Sequence, residues 1–327
     1  MASVPSTLGR KKQNFLGEDT QKNKLTYRQK IGRDLVKNKY IYLMAIPVLL
    51  YYLIFHYGPM YGAIIAFKDF SPAKGILESP WAGLKHFKEF FGSFYFVRIL
   101  KNTLLINIYN LVFGFPAPII LAILLNELRN KLFKRAVQTV TYLPHFISIM
   151  VLCGLIIDFS GRNGLVNDII AFFGGERTNL LMLPDLFQPI FVGTNIWQEL
   201  GWNSIIYLAA LSAVDPQIYE ASTIDGAGRL RKIWNISLPS IFPTIVVLLI
   251  LRMGSMMNIG FEKIILLYTP TTYETADVIS SFVYRKGLQN FNFSASAAVG
   301  LFNSVINFTL LISANWISRK VNETSLW

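Results

Sequence analysis

Six long apolar stretches constrain the fold of this chain more than any other feature. A helix needs about 20 mostly apolar residues to cross a bilayer, and six stretches are long enough. Charged residues make up 15% of the chain, against roughly 25% in a soluble domain. The sequence therefore predicts an all-α polytopic membrane protein, with six transmembrane helices at about 40–60, 103–126, 137–157, 188–213, 241–261 and 295–317.

Lysine and arginine are concentrated in alternate connecting segments, which predicts the orientation of the chain. Residues 1–39 carry ten Lys and Arg against three acids, and further basic residues lie in 127–136, 214–240 and 318–327. Because short cytoplasmic segments are enriched in these residues, both termini are predicted to be cytoplasmic. The net charge of +12 is then explained by membrane flanks rather than by nucleic-acid binding.

The predicted domains follow from this orientation. Residues 1–39 form a basic cytoplasmic segment, 40–317 a transmembrane domain, and 318–327 a cytoplasmic tail. Tyr27, Ile31 and Leu35 are spaced four apart, which suits a helix on the membrane surface. A solvated basic flank is the alternative for that segment. The first apolar stretch is expected to remain as an anchor, because no clear signal-peptidase site follows it.

The cysteine and proline residues give two further structural predictions. The single cysteine, Cys153, lies in an apolar stretch, so no disulfide within the chain is possible and a buried apolar role is expected. Pro116 and Pro118 lie within the second predicted helix and predict a kink there.

The segment 214–240, called the polar loop below, separates the fourth and fifth predicted helices. Asp215 and Pro216 are typical of a helix start, and Asp225–Gly226 predicts a break after about residue 224. A second short helix is predicted at about 227–235, with an apolar face of Leu230, Ile233 and Trp234, ending before Leu238–Pro239. Pattern alone leaves open whether the segment is an ordinary interfacial loop or a docking element.

The polar loop resembles a motif of the membrane subunits of ATP-binding-cassette (ABC) importers. That motif reads Glu-Ala-Ala, three residues, Gly, nine residues, Ile-x-Leu-Pro. This chain has Glu220-Ala221-Ser222, then Gly226, then Ile236-Ser237-Leu238-Pro239, with Ser222 as the one departure. The wider stretches "YEASTIDGAGRLRKIWNISLPSI" and "NIGFEKIILLY" look like the carbohydrate branch, including permeases for acidic oligosaccharides such as alginate.

The resemblance implies a type I ABC importer permease, a transport subunit and not an enzyme, in the bacterial inner membrane. Its implied partners are a second homologous permease, an ATPase dimer that binds ATP and Mg, an extracytoplasmic solute-binding protein and an oligosaccharide. No G-x-x-x-x-G-K-[ST] motif occurs in the chain, which agrees with an ATPase supplied by another subunit. The resemblance assigns ATPase coupling to Glu220, Ala221, Ser222, Asp225, Gly226, Ile236, Leu238 and Pro239.

Polar side chains within the apolar stretches are the candidates for a translocation path. They are Asn195, Gln198, Glu199, Trp202 and Asn203 in the fourth predicted helix, Arg252, Met256 and Asn258 in or after the fifth, and Asn303 and Asn307 in the sixth. Amides of this kind also join helices within membranes. Arg252 and Glu199 lie at comparable predicted depths, so either they pair or Arg252 receives an acidic sugar.

Two other classes of function would require features of their own. An ion-coupled secondary transporter would need carboxylates within its helices, for which Glu199 is the one good candidate. A membrane-embedded enzyme would need clustered catalytic groups, whereas His56, His86 and His145 lie in three different segments.

Overall fold

The computed structural model describes residues 33–322. Within that range the chain is helices and connecting turns, with one isolated antiparallel bridge between Lys68 and Trp81, which confirms the predicted all-α class. The proposed surface residues Tyr27 and Ile31, with the rest of 1–32, and the tail residues 323–327 lie outside the described range. The chain divides after Gly62 into two compact units, which are described separately.

Twelve helices are labelled in chain order. They are α1 (Lys39–Tyr52), α2 (Phe94–Tyr109), α3 (Pro116–Glu127), α4 (Lys131–Tyr142), α5 (Ile149–Ser160), α6 (Leu165–Phe172), α7 (Pro184–Ser212), α8 (Pro216–Ile224), α9 (Arg229–Lys232), α10 (Leu238–Gly254), α11 (Phe261–Leu267) and α12 (Phe293–Asn322). Unlabelled short helices cover Gly58–Met60, Gly75–Glu78, Lys85–Phe91, Tyr273–Ala276 and Ile279–Tyr284. Tight 3₁₀ turns cover Tyr61–Phe67, Leu143–Phe146 and Leu180–Met182, and π turns cover Leu53–Tyr57, Asn110–Gly114, Ile233–Ser237 and Arg285–Gln289.

Five helical stretches of the described residues are long and apolar enough to cross a membrane, judged by length and composition alone. They are Lys39–Phe67, Phe94–Glu127, Ile149–Phe172, Arg229–Gly254 and Phe293–Lys320.

The fourth predicted segment, 188–213, lies in α7 and is not one of these five. Its 29 residues would extend about 43 Å at 1.5 Å per residue, so length is not what sets it apart. The polar side chains along α7, such as Asn195, Gln198 and Glu199, lower its apolar character.

The third predicted segment, 137–157, is divided in the structure rather than continuous. Helix α4 ends at Tyr142, a 3₁₀ turn follows, and α5 begins at Ile149. Pro144 has no backbone N–H to continue a helix, and Ser148 starts the next one by accepting a hydrogen bond from the Val151 amide at 3.4 Å. The turn carries His145 toward α7, which matters for the site below.

Proline is accommodated by π turns at two other places. Ahead of Pro116, the Phe115 amide donates to the Asn110 carbonyl at 3.0 Å, an i to i−5 bond that lengthens the turn. A second π turn precedes Pro239, so the chain stays helical from Arg229 to Gly254. The expectation that the second short helix ends before Leu238–Pro239 is therefore wrong, since Pro239 lies in the first turn of α10, where a missing N–H costs little.

The fifth predicted segment, 241–261, ends early. Helix α10 stops at Gly254, and residues 255–260 connect it to the short helix α11. This break places Asn258 in a connecting segment and Lys263 in a helix of its own.

Helix α7 runs through the core of the unit that starts at Ala63. Near its start, Phe187 and Phe191 pack with residues of α5 and α11. Near its end, Tyr207 and Leu211 pack with residues of α3 and α10. Cys153 of α5 is buried in the first cluster as a free thiol, as its apolar context predicts.

A buried carboxylate joins α2 to the segment between α11 and α12. The Asp277 side chain is fully buried and accepts from Arg285 at 2.6 Å, with Arg98 of α2 at 3.6 Å. Asn102 of α2 donates to the Glu274 and Asp277 carbonyls at 2.8 and 3.0 Å. Because a buried charge is tolerated only when it is paired, this network holds the segment in one position.

A second, exposed charge pair lies in the segment between residues 63 and 93. Lys85 donates to both Asp69 oxygens at 3.0 and 3.2 Å. This hydrogen bond lowers the pKa of the Asp69 carboxyl. Exposed pairs of this kind add little to stability, so Asp277 is the more important of the two carboxylates for the fold.

Candidate functional site

The polar loop folds through contacts within itself. Asp215 caps α8 by accepting from the Gln217 amide at 2.9 Å, with Pro216 as the first helical residue. Both features confirm the predicted helix start, and the helix ends at Ile224. The Tyr219 hydroxyl then lies 3.0 Å from the Ser237 hydroxyl, which ties α8 to the π turn before α10.

Gly226 provides the bend between α8 and α9. Its φ of +72° lies in the left-handed region, and a Cβ there would meet nothing within 4 Å. The requirement for glycine is therefore conformational and not one of space. Gly228, two residues further on, also has open space around it but an ordinary φ of −69°.

Several apolar side chains of the polar loop are exposed, and Glu220 is exposed as well. They are Ile218, Ile224, Leu230 and Trp234, exposed by 49%, 87%, 73% and 67%. Of the other residues assigned to coupling, Ala221, Asp225 and Pro239 are exposed, whereas Ser222, Ile236 and Leu238 are half-buried. Exposed large apolar side chains concentrated in one short segment are typical of a protein contact.

A cavity of about 460 Å³ lies between α3, α7 and α10. Five of the predicted path residues line it, namely Asn195, Gln198, Glu199, Asn203 and Arg252. Its other walls come from residues that the sequence did not single out, including Asn110, Phe115, Tyr207, Leu248 and Ser255. The cavity therefore combines apolar walls with a few polar groups, as small-molecule sites do.

Glu199 pairs with His145, and not with Arg252 as the sequence suggested. Nδ1 of His145 lies 3.2 and 3.3 Å from the two carboxylate oxygens, and the imidazole ring stacks on Trp202, 4.4 Å between centroids. Among the described residues Arg252 has no ion pair within 4.0 Å and no hydrogen bond through its guanidinium. The predicted Arg252–Glu199 pair is thus incorrect, because the turn at Pro144 brings a closer partner to Glu199.

Arg252 is exposed within this chain and lines the cavity. A guanidinium carries five N–H donors in a planar fork that matches a carboxylate. With Glu199 held by His145, Arg252 is free to contact an anionic group in the cavity.

Lys263 is a residue that sequence reasoning missed. Lys263 is only 3% exposed, and it lies among the apolar residues of α5, α7 and α11. The ammonium donates to Asn195 at 2.5 Å, to Thr194 at 2.9 Å and to the Phe191 carbonyl at 3.4 Å. A lysine directly before the apolar run Ile264–Leu267 is the one sequence signal that could have indicated burial.

The remaining path candidates are not among the residues that line the cavity. Asn258 accepts from the side chains of Asn303 and Asn307 at 2.9 and 3.0 Å, and Asn307 accepts from the Met257 amide at 2.8 Å. These amides join the segment after α10 to α12. They therefore have the second of the two roles considered for such amides, which is to hold helices together. Met256 is next to this cluster in the chain and, like Trp202, is not among the cavity-lining residues.

Comparison with known proteins assigns the class. Residues 114–323 match the family "Binding-protein-dependent transport system inner membrane component". The "Polygalacturonan/rhamnogalacturonan transport system permease protein YteP" of Bacillus subtilis is 46% identical over 92% of this chain and 94% of its own length. Protein LplB of the same organism is 45% identical over 90% of this chain and 92% of its own.

Solved structures give the same result. A chain of a bacterial ABC transporter for import of the acidic polysaccharide alginate is 44% identical, with a TM-score of 0.83 over 90% of this chain and 99% of that one. A chain of a bacterial alginate ABC transporter, in complex with a periplasmic protein that holds an alginate pentasaccharide, is 43% identical with a TM-score of 0.84, covering 91% and 100%.

The protein is therefore a multi-pass membrane subunit of the ABC transporter class, with the type I permease fold of these neighbours. It belongs to the family of binding-protein-dependent transport system inner membrane components, and within it to the sugar permeases. This assignment overturns the alternative of an ion-coupled secondary transporter.

Proposed function

We propose that this permease forms half of the path by which a bacterial inner-membrane importer takes up acidic oligosaccharides. The observation that carries the proposal is the cavity, which presents Arg252 with no ion pair within 4.0 Å among the described residues. An acidic sugar has carboxylates for that guanidinium. The relatives named for polygalacturonan and for alginate, both polymers of acidic sugars, support the same substrate class.

The importer would need three kinds of partner. A second homologous permease would complete the path, an extracytoplasmic binding protein would deliver the sugar, and a separate ATPase dimer would bind ATP and Mg. Support for a binding protein comes from the neighbour whose complex contains a periplasmic protein holding an alginate pentasaccharide.

The polar loop would contact the ATPase. It carries Glu220 and several exposed apolar side chains on helices that are held by contacts within the loop. Because α9 continues into α10 without a break, a displacement of the loop would be carried as a rigid-body movement toward the cavity wall at Arg252. That continuity supports a coupling of ATP hydrolysis to alternating access through this segment.

The proposal is tested with the complete importer in liposomes. ATP-dependent, binding-protein-dependent uptake of a labelled galacturonate or alginate oligosaccharide is expected, whereas uptake that does not require ATP would contradict it. Glu220→Lys should abolish uptake while the purified complex still hydrolyses ATP, since the exposed side chain supports docking and not the fold. Glu262→Lys, outside the polar loop, is the charge-matched control.

A further inference from the structure

One buried ammonium lies directly behind the cavity wall. The ammonium of Lys263 donates its three N–H groups to the Asn195 side chain, the Thr194 hydroxyl and the Phe191 carbonyl. Thr194 directs its own hydroxyl hydrogen to the backbone, at 2.7 Å to the Ile190 carbonyl and 3.1 Å to that of Phe191, so its lone pairs are free to accept. The lysine is fully satisfied, as a buried charge must be.

This contact decides which way the Asn195 amide faces. An ammonium group is a donor only, so the atom of Asn195 that meets it at 2.5 Å has to be the carbonyl oxygen Oδ1. The amide nitrogen Nδ2 is then left with two N–H donors and makes no hydrogen bond among the described residues. Asn195 lines the cavity, so these donors are available there.

The charges around the cavity also favour an Asn195 amide whose N–H donors face the cavity. Asn195 and Arg252 lie on its wall, and the ammonium of Lys263 polarises the amide from behind. The carboxylate of Glu199 is held by His145 at 3.2 Å. The donors thus face a region whose one lining carboxylate is already engaged.

We infer that Lys263 is a positioning residue that sets the substrate preference of the cavity. It holds Asn195 with its N–H donors toward the cavity beside Arg252, so that the site favours a saccharide carboxylate over its neutral ester. The inference deepens the proposed function and rests on it, because it names how the same cavity selects an acidic sugar.

The test measures a ratio of affinities on the intact permease–ATPase complex in nanodiscs. A galacturonate trisaccharide and its full methyl ester are titrated separately by calorimetry. The wild-type complex should bind the acid about tenfold or more tightly than the ester, since charge-assisted hydrogen bonds are the stronger kind. No preference, or no binding of either sugar, overturns the inference.

Asn195→Asp is the most direct variant. One carboxylate oxygen would keep the bond to Lys263, and the other would place negative charge where Nδ2 stood. The acid should lose about tenfold in affinity while the ester changes little. An unchanged or increased affinity for the acid contradicts the inference.

Lys263→Met tests the positioning role itself. Methionine fills the apolar surroundings without an ammonium, and the acid-to-ester ratio should fall toward one because the amide is no longer held. Lys101→Met is the matched control, since Lys101 is an exposed lysine of α2 that does not line the cavity, and its ratio should stay at the wild-type value. An equal loss for both sugars in Lys263→Met would reveal a structural role only.

Failure of the inference and failure of the proposed function are separable. Uptake into liposomes that requires ATP and prefers neither sugar would retain the importer and remove the role of Lys263. Absence of any ATP-dependent uptake by the wild-type importer would remove the proposed function. If Lys263→Met does not fold, Asn195→Asp still decides the matter, because it keeps the partner of the buried lysine.

Discussion

The polar loop and the cavity are organised in opposite ways. In the loop, the Asp215 carboxylate accepts a hydrogen bond from the amide of Gln217, two residues further along the chain. The Tyr219 hydroxyl contacts the hydroxyl of Ser237, which is only 18 residues further along. At the cavity, two lining residues are held by distant partners: Glu199 by His145, 54 residues away, and Asn195 by Lys263, 68 residues away. A surface that docks a partner can be built locally, whereas a binding cavity requires groups from several helices.

The largest effect is expected where α7 packs closely against α4. A Cβ at Gly201 of α7 would collide with the Thr141 backbone carbonyl, so Gly201→Ala should destabilise the fold by about 1–3 kcal/mol. A thermal shift in detergent should show a clear fall in Tm. Gly193→Ala on the same helix, with nothing within 4 Å of its Cβ, should leave Tm unchanged or slightly raised. Equal falls would show that α7 and α4 are not packed as described.

The next effect should appear in the cavity without loss of fold. Arg252→Met removes a guanidinium that has no ion pair or hydrogen bond among the described residues, so uptake of an acidic oligosaccharide should fall about tenfold or more while Tm is kept. Uptake of the neutral ester is the internal reference. If Arg252 were paired within the fold, Tm would fall instead and both sugars would be affected alike.

A smaller effect is expected at the bend of the polar loop. Gly226→Ala places a Cβ on left-handed backbone, which costs about 1–2 kcal/mol locally, so ATP-driven uptake should fall several-fold more than ATP hydrolysis. Gly228→Ala is matched in size and openness but has an ordinary φ. Equal behaviour of the two variants would mean that the bend does not matter for coupling.

The smallest effect should follow removal of one hydroxyl that ties the loop together. Tyr219→Phe loses the contact with Ser237, a net change of about 1 kcal/mol, and should reduce coupled uptake modestly at unchanged ATPase activity. Thr309→Val, a hydroxyl removed from α12 outside the loop, is the control. A large loss in Tyr219→Phe would show that the loop is less independent of the rest of the fold than its local contacts indicate.

The amino-acid sequence determined those features that depend on neighbours along the chain. The all-α class follows from apolar runs, the start of α8 from Asp215 and Pro216, and the bend from Asp225–Gly226. The motif at Glu220 also depends only on spacing. In each case the physical cause lies within a few residues, so it can be read without knowing the fold.

Only the tertiary structure decided what each polar group of the helices contacts. The sequence predicts Glu199 and Arg252 at similar depths, but the turn at Pro144 brings His145 to Glu199, and Arg252 has no ion pair among the described residues. Lys263 looks like a loop residue until α11 packs it beneath Asn195. Electrostatic pairing acts over a few ångströms in space, and helical periodicity within one segment does not show which residue of another segment comes that close.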